Sequence, residues 1–398
     1  MKLKKLIGIM AIAGLAVPGI ASATNGYFSH GYGIKAKGMG GVGIALPQDA
    51  LAAATNPAGM AMVGDRVDFG VDYFSPKRTA TFGAGLPVAA GNYESGSTSF
   101  FVPEFGYNKM ISSDMSVGVS VFGNGGMNTD YNTGLLSQGG AVSKTNSNLE
   151  QLFIAPTWAM KINPNHAIGV SLNLAYSTFK AEGLEGFGIP NHGKDTSTGY
   201  GLKLGWTGKI ASNVTMGATY QSKTKMKDFY KYSDLFAGRG SFDIPETYGI
   251  GIAFDVNPQT VIAADVVQIN YGGIRALANV QTNTCALGSD CGSGFGWKDT
   301  TVYKLGVSHA LSKDLTLRAG YNYAKAPFDG TQTYFNILAP ATVEQHLTLG
   351  ATWTLANKAE LSVSYMHAFN KEIKSTTATP VNLKMSQDAL GIAYGWKM

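Results

Sequence analysis

Few residues in this chain have the type and spacing that chemistry requires. Its six His residues show no metal-ligand spacing, and His346 and His367 fall in separate segments. No G-x-S-x-G, H-E-x-x-H or P-loop pattern occurs. A catalytic set assembled only in space would need a nucleophile and a base within about 3 Å of each other. Nothing in the sequence points to one, so the expectation is a protein that is not an enzyme and takes no metal or cofactor. The remaining candidates are charges and thiols. Lys304 and Arg318 are isolated cations in weakly charged segments. Each either meets a ligand or pairs with an acid such as Glu344. Cys285 and Cys291 enclose a short segment. They are expected to form a disulfide that orders a loop, because the chain reads as secreted to an oxidising compartment.

Residues 1–23 read as a secretory signal. Lys2, Lys4 and Lys5 give a basic start, residues 6–17 form an apolar run, and Ala21-Ser22-Ala23 fits the cleavage pattern. The competing reading, a membrane anchor, needs a longer apolar run. Removing three Lys takes the net charge from +5 to +2, which excludes a strong electrostatic footprint for nucleic acid. Beyond the signal no apolar run reaches the ~18 residues of a spanning helix. Yet the chain holds 51 Gly, 19 Tyr and 19 Phe, with only 14% charged residues. That balance suits many strands joined by tight turns and dressed with aromatics.

From Arg66 onward a period of two recurs. Val214, Met216, Ala218 and Tyr220 alternate with Thr215, Gly217, Thr219 and Gln221. Leu315, Leu317, Ala319, Tyr321 and Tyr323 alternate with Thr316, Arg318, Gly320 and Asn322. Such segments are strands whose two faces meet different surroundings. Alternation alone does not separate a soluble sandwich from a membrane barrel. Three features favour the barrel: segments of about ten residues, aromatics near their ends, and alternating short and long connections. The short ones include Asn163-Pro164-Asn165, Ala211-Ser212-Asn213 and Asn257-Pro258-Gln259. The long ones run roughly over 76–98, 124–147, 181–196, 226–242, 273–297, 326–341 and 370–381. The pattern predicts an all-β transmembrane barrel of about fourteen antiparallel strands.

A barrel that wide is not filled by its own side chains. Residues 24–65 are the candidate plug and 66–398 the barrel. The plug segment is rich in small and apolar residues and poor in charge, unlike a disordered arm. A short helix is expected over 49–54, ending before Pro57.

These residues, in this order, resemble the FadL family of outer-membrane transporters for long-chain fatty acids and other hydrophobic compounds. Gly31-x-Gly33-x-x-x-x-Gly38 looks like the start of the family's N-terminal hatch. Asp49-Ala50 followed by Asn56-Pro57-Ala58 is similar to its hatch motif. Ile244-Pro245-Glu246, Gly296-Trp297-Lys298-Asp299 and Ser364-Tyr365-Met366-His367 resemble later strands. Each match is weak alone; together they run nearly the length of the mature chain.

The resemblance implies passive, ligand-gated import. A hydrophobic ligand is caught among the outer loops, moves to a pocket near the extreme N-terminus, and leaves sideways through a kink in the third strand. Here that strand is expected at 116–121, running into Phe122 and the kink residues Gly123, Asn124, Gly125 and Gly126, where glycines permit a bulge. Tyr27 and Phe28 would line or gate the pocket. Lys298 either meets a carboxylate head group or is a rim lysine. Asn56, Pro57 and Ala58 would hold the hatch. Leu135, Leu136, Leu235, Phe236, Ile337 and Leu338 would form the capture groove. Fatty acids are the first expected substrate and monoaromatic hydrocarbons the second; a sealed structural or adhesive barrel is the alternative of another class. The expected partners are the hydrophobic ligand and the lipid and lipopolysaccharide of the bacterial outer membrane, with the protein a monomer. The chain departs from related barrels in ending Trp396-Lys397-Met398 where an aromatic residue is usual.

Overall fold

The computed structural model describes residues 24–136 and 144–398. The expected signal, residues 1–23, lies outside them, as does 137–143 of one long outer loop. Fourteen strands build one sheet that closes on itself. They are β1 (Arg66–Phe82), β2 (Phe100–Met110), β3 (Met115–Tyr131), β4 (Thr145–Asn163), β5 (His166–Glu182), β6 (Asp195–Ala211) and β7 (Val214–Gln221). There follow β8 (Thr247–Asn257), β9 (Thr260–Ile269), β10 (Thr300–Ala310), β11 (Leu315–Ala324), β12 (Gln345–Thr354), β13 (Glu360–Ile373) and β14 (Val381–Lys397). Two short strands in the outer loops, Gly91–Glu94 and Lys225–Met226, add to β1 and β6. All neighbours are antiparallel, and β1 pairs with β14 to close the ring. The expected strand count and loop asymmetry both hold.

The period of two decides which side chains face lipid. On β8, Tyr248, Ile250, Ile252, Phe254 and Val256 are exposed, while Gly249, Gly251 and Ala253 are buried. An apolar exposed face nine residues long, tilted as barrel strands are, spans about 20–25 Å, the height of an outer-membrane apolar band. Among the described residues no helix is long and apolar enough to cross a membrane.

The lumen holds residues 24–61. They include α1 (Ile34–Lys37), α2 (Ala52–Thr55) and a 3-10 turn at Pro57–Ala61. Their placement follows from contacts all around the wall. Lys37 reaches β1, Lys35 reaches β13, Gly40 N–H donates to Thr348 on β12, Gly43 to Asp265 on β9, and Ala50 O accepts from Ser120 on β3. A segment touching opposite walls lies inside. Much of the glycine excess serves this packing. A Cβ at Gly320 would sit 2.2 Å from Gly40 N, and one at Gly205 1.9 Å from Asn56 Oδ1. Only bare backbone lets wall and segment come so close.

Candidate functional site

Among the described residues the wall has a long break in its pairing between β2 and β3. β2 and β3 pair only from Phe105–Val121 to Met110–Ser116. Above that, Phe100–Glu104 of β2 pair only with β1, and Phe122–Tyr131 of β3 only with β4. Two local causes are visible. Pro103 has no N–H to give a ladder. Across the gap, the β3–β4 register shifts between Gly123 and Gly125, so Asn124 bulges. The strand expected at 116–121 thus runs on through the glycines to Tyr131, with a register shift between Gly123 and Gly125.

The lumenal segment covers the lower part of this seam. Phe28 bridges Gly125 in antiparallel fashion. Ser29 N–H donates to Asn124 O at 3.2 Å, and Gly126 N–H to Tyr27 O at 3.0 Å. The Tyr32 hydroxyl reaches the Asn124 backbone and side-chain oxygens, each at 3.2 Å, and its ring packs on Phe122. Gly125 is required here: a Cβ would lie 1.8 Å from Tyr27 O.

Tyr27 is itself enclosed by rings. Phe28, Phe242, Tyr271 and Trp297 surround it at centroid distances of 5.1 to 6.4 Å. Tyr271, in the loop after β9, also donates its hydroxyl to Asn25 O. Burial pushes the Tyr27 hydroxyl well above its ordinary pKa, so it stays protonated. The six outer-loop residues expected to form an open capture groove are instead buried. Leu135, Leu136, Leu235, Phe236, Ile337 and Leu338 join Tyr27 and Phe28 in one apolar cluster under the loops. Their own length and apolarity are the reason: left on a loop surface they would face water.

Beside Phe28 lies a small cavity of about 60 Å³. Asn25, Tyr32, Ile44, Gln221, Lys203 and Lys304 are among its lining residues. Lys203, on β6, donates to Ala54 O, and Lys304, on β10, to Gly41 O at 3.0 Å. Asp265, across the β9–β10 ladder from Lys304, accepts from Gly43 and Ile44 N–H. Two lysines thus converge on one end of the lumen. The cavity is smaller than the ~150 Å³ apolar cavity known to admit benzene, so a ligand of that size or larger needs the lumenal segment to move.

Ion pairs fix the other side of that segment. Lys37 lies 3.0 Å from Asp72 and 3.8 Å from Glu104, all three buried. Lys35 meets Glu360 at 2.5 Å, and Arg66 bridges Glu360 and Asp68 at 2.8 and 2.7 Å. Glu104 also accepts from Gly33 and Ile34 N–H at the start of α1.

The remaining sequence candidates fall in three places. Asn56 caps the 3-10 turn by accepting from Ala58 N–H, and its amide donates to Ile44 O and Trp206 O at 2.7 and 2.9 Å. Pro57 and Ala58 are buried against β5, where Gly169 leaves room. Arg318 is lumenal but donates to Gln48 and Thr352, whereas Glu344 pairs with Lys371. Lys298 lies on the outer rim, largely exposed, 2.9 Å from Asp329. Cys285 and Cys291 are disulfide-bonded. Sequence reasoning missed Lys203, Tyr271, Gln221 and Pro103. Only Pro103 carried a legible signal, a proline inside an alternating strand.

A family model described as outer membrane protein transport protein (OMPP1/FadL/TodX) matches residues 20–397. No protein of the curated set matches in sequence. Among solved structures, the P. putida toluene transporter TodX is similar at 20% identity and TM-score 0.74, covering 93% of this chain and 99% of that one. A Pseudomonas aeruginosa FadL homologue gives 14% and 0.70, covering 94% and 99%. The Ralstonia pickettii toluene transporter TbuX gives 18% and 0.68, covering 93% and 99%. At these identities the structural likeness shows the fold.

Proposed function

The chain belongs to the OMPP1/FadL/TodX family of outer-membrane transport proteins, and from that premise we propose that it imports hydrophobic compounds by passive diffusion, with residues 24–61 as the gating hatch. Ligand displaces the Tyr27–Ser29 stretch from β3 and leaves sideways through the uncovered seam into the membrane. The observation that carries this reading is the seam itself: strand pairing is missing where the lumenal segment supplies the hydrogen bonds instead. A sealed structural barrel has no use for such a break. The physical gain is continuity. A chain in water loses ~0.8 kcal/mol for each CH2 left exposed, and an apolar route from aromatic cap to lipid avoids that exposure.

A carboxylate-bearing ligand, with long-chain fatty acids first, is favoured by Lys203 and Lys304 beside one cavity. Neutral monoaromatics are the second reading, supported by the toluene transporters whose fold this chain shares. The test is uptake by cells lacking their own transporter. Intact protein restores growth on oleate, and deleting Gly125, which removes the bulge and its docking site, abolishes it while the barrel still folds. Passage of toluene but not oleate moves the substrate to neutral aromatics. Passage of neither by a folded protein ends the transporter reading.

A further inference from the structure

Strand edges inside a membrane need partners, because no water is present to supply them. The edge of β3 above Val121 has none from β2. Its lower part is met by Tyr27 and Ser29. Its upper part is met by the loop between β1 and β2. Gly96 N–H donates to Asp130 O at 2.8 Å, and Asp130 N–H to the Ser95 hydroxyl at 3.0 Å. One side chain ties these pieces together. Arg78 projects inward from β1 and passes the outer end of β2. One guanidinium nitrogen donates to Asn128 O on β3 and another to Ser97 O in the loop. The Arg78 carbonyl holds the same loop through Ser95 N–H at 2.9 Å.

Arg78 is an expensive residue to place there. It is 5% exposed, its bonded partners are carbonyls and not a carboxylate, and its Nε has no partner. Phe100, whose ring centroid lies 5.8 Å from the guanidinium carbon, gives it a cation–π contact. A planar fork with divergent donors spans two carbonyls on separate elements; a lysine ammonium on a single stem does not. We propose that Arg78 is the clasp that bounds the lateral opening at its outer end, and so sets the width of ligand that leaves through it. The inner bound is the β2–β3 ladder at Phe105 and Val121. Between the two bounds β3 offers about six residues, or ~20 Å of edge, once Tyr27–Ser29 move away. Arg78 is a positioning residue: it holds the rim and touches no ligand. The proposal rests on the lateral-exit reading above.

Two variants of the full chain test it, Arg78→Met and Arg78→Lys, the second keeping the charge and guarding against a folding defect in the first. Amide exchange is followed by peptide, and uptake is measured for pairs of ligands: oleate, a polycyclic aromatic carboxylate, and neutral hydrocarbons of matching widths. Loss of a charged bonding group predicts roughly tenfold faster exchange in 95–97 and 128–131 for Arg78→Met. Arg78→Lys falls between, and β1–β14 peptides stay unchanged in both. Uptake of wide over slim ligands rises severalfold in Arg78→Met, whatever the ligand charge. Unchanged exchange in both variants overturns the clasp, as does faster exchange with an unchanged width preference. Loss of carboxylate uptake alone overturns it too, by making Arg78 a ligand anchor. A folded wild type that passes none of the ligands sinks the lateral-exit reading and this proposal with it; insensitive variants of a working wild type sink the clasp alone.

Discussion

Two seams of this barrel differ in a way that separates structure from function. Where the first and last strands meet, β1 and β14 pair without a break from Arg66–Lys397 to Phe82–Val381. Where β2 meets β3, the ladder stops after Phe105–Val121. The first seam must hold or the barrel has open edges. The second is closed by residues that are not part of the wall. Backbone pairing is cooperative along a ladder, whereas the docked segment is held by two backbone bonds, the Tyr32–Asn124 contacts and ring packing. On the lateral-exit reading proposed above, the wall opens at the seam whose closure depends on residues 27–29.

The strongest way to break that contrast is Gly125→Val. A Cβ at this position would meet Tyr27 O at 1.8 Å, so the docked stretch must leave. Loss of the Ser29–Asn124 and Tyr27–Gly126 bonds and of ring packing predicts exchange roughly a hundredfold faster at residues 27–29. The β1–β14 ladder should keep its protection. Equal loosening of both seams would mean that the stretch supports the whole barrel and is no gate.

An effect at least as large is expected for Lys37→Met. Lys37 holds α1 against β1 and the end of β2 unpaired with β3 through Asp72 and Glu104. Removing it leaves two buried carboxylates without their cation, a loss of about 3–5 kcal/mol. The expected readout is release of residues 24–61 to protease at lower urea, with the barrel still resistant to heat in detergent. Adding Asp72→Asn and Glu104→Gln should recover most of the loss, since no uncompensated charge then remains. If the single variant docks normally, these ion pairs do not hold the segment.

Legibility in the sequence tracks these two seams. The β1–β14 closure rests on alternation, and alternation is local: Leu390, Ile392, Tyr394 and Trp396 announce their face two residues at a time. The β2–β3 break was half legible. Gly123 to Gly126 marked the bulge, but the missing ladder also needs Pro103, which lies a strand away and is joined to it only by the fold. Lys203 was illegible for the same reason. Its meaning comes from Lys304 and Asn25 across the lumen, and no spacing along the chain records that. The six apolar loop residues were misplaced because apolarity shows that a side chain is buried, not what buries it.

A pH effect of middle size follows from His30, which lies inside the lumenal segment and accordingly titrates with docking. Burial is the main cause that holds its pKa well below the ordinary value, with His346, Lys37 and Lys304 adding in the same direction. Docked, it stays neutral; undocked, it takes a proton near pH 6.5. Docking is therefore at full strength above that pH and weakens as the pH falls below it, by about 1.4 kcal/mol per unit until the docked ring also protonates. Protease release of residues 24–61 should rise from pH 7 to pH 5, and His30→Asn should flatten the rise. A wild-type profile that is flat over this range would show that His30 is not sealed off when the segment is docked.

The smallest effect is expected at Lys298, the rim half of Gly296-Trp297-Lys298-Asp299. Its neighbour Trp297 is fully buried, donates Nε1 to Asn336 Oδ1 at 2.7 Å, and packs on Tyr27. Lys298 points the other way, 74% exposed at its side chain, and pairs with Asp329. An exposed pair of this kind contributes about 0–1 kcal/mol. Lys298→Ala should thus leave folding intact and change acid uptake by less than about twofold. The pair can still be read directly. The Thr331 hydroxyl first, and Lys298 second, hold the Asp329 carboxyl at about 2. Removing Lys298 should raise that value only partway toward an ordinary aspartate, because Thr331 remains. A carboxylate ligand captured at this rim would give the opposite result: acid uptake would fall sharply in Lys298→Ala while neutral ligands still passed, and the first contact with ligand would then lie outside the seam altogether.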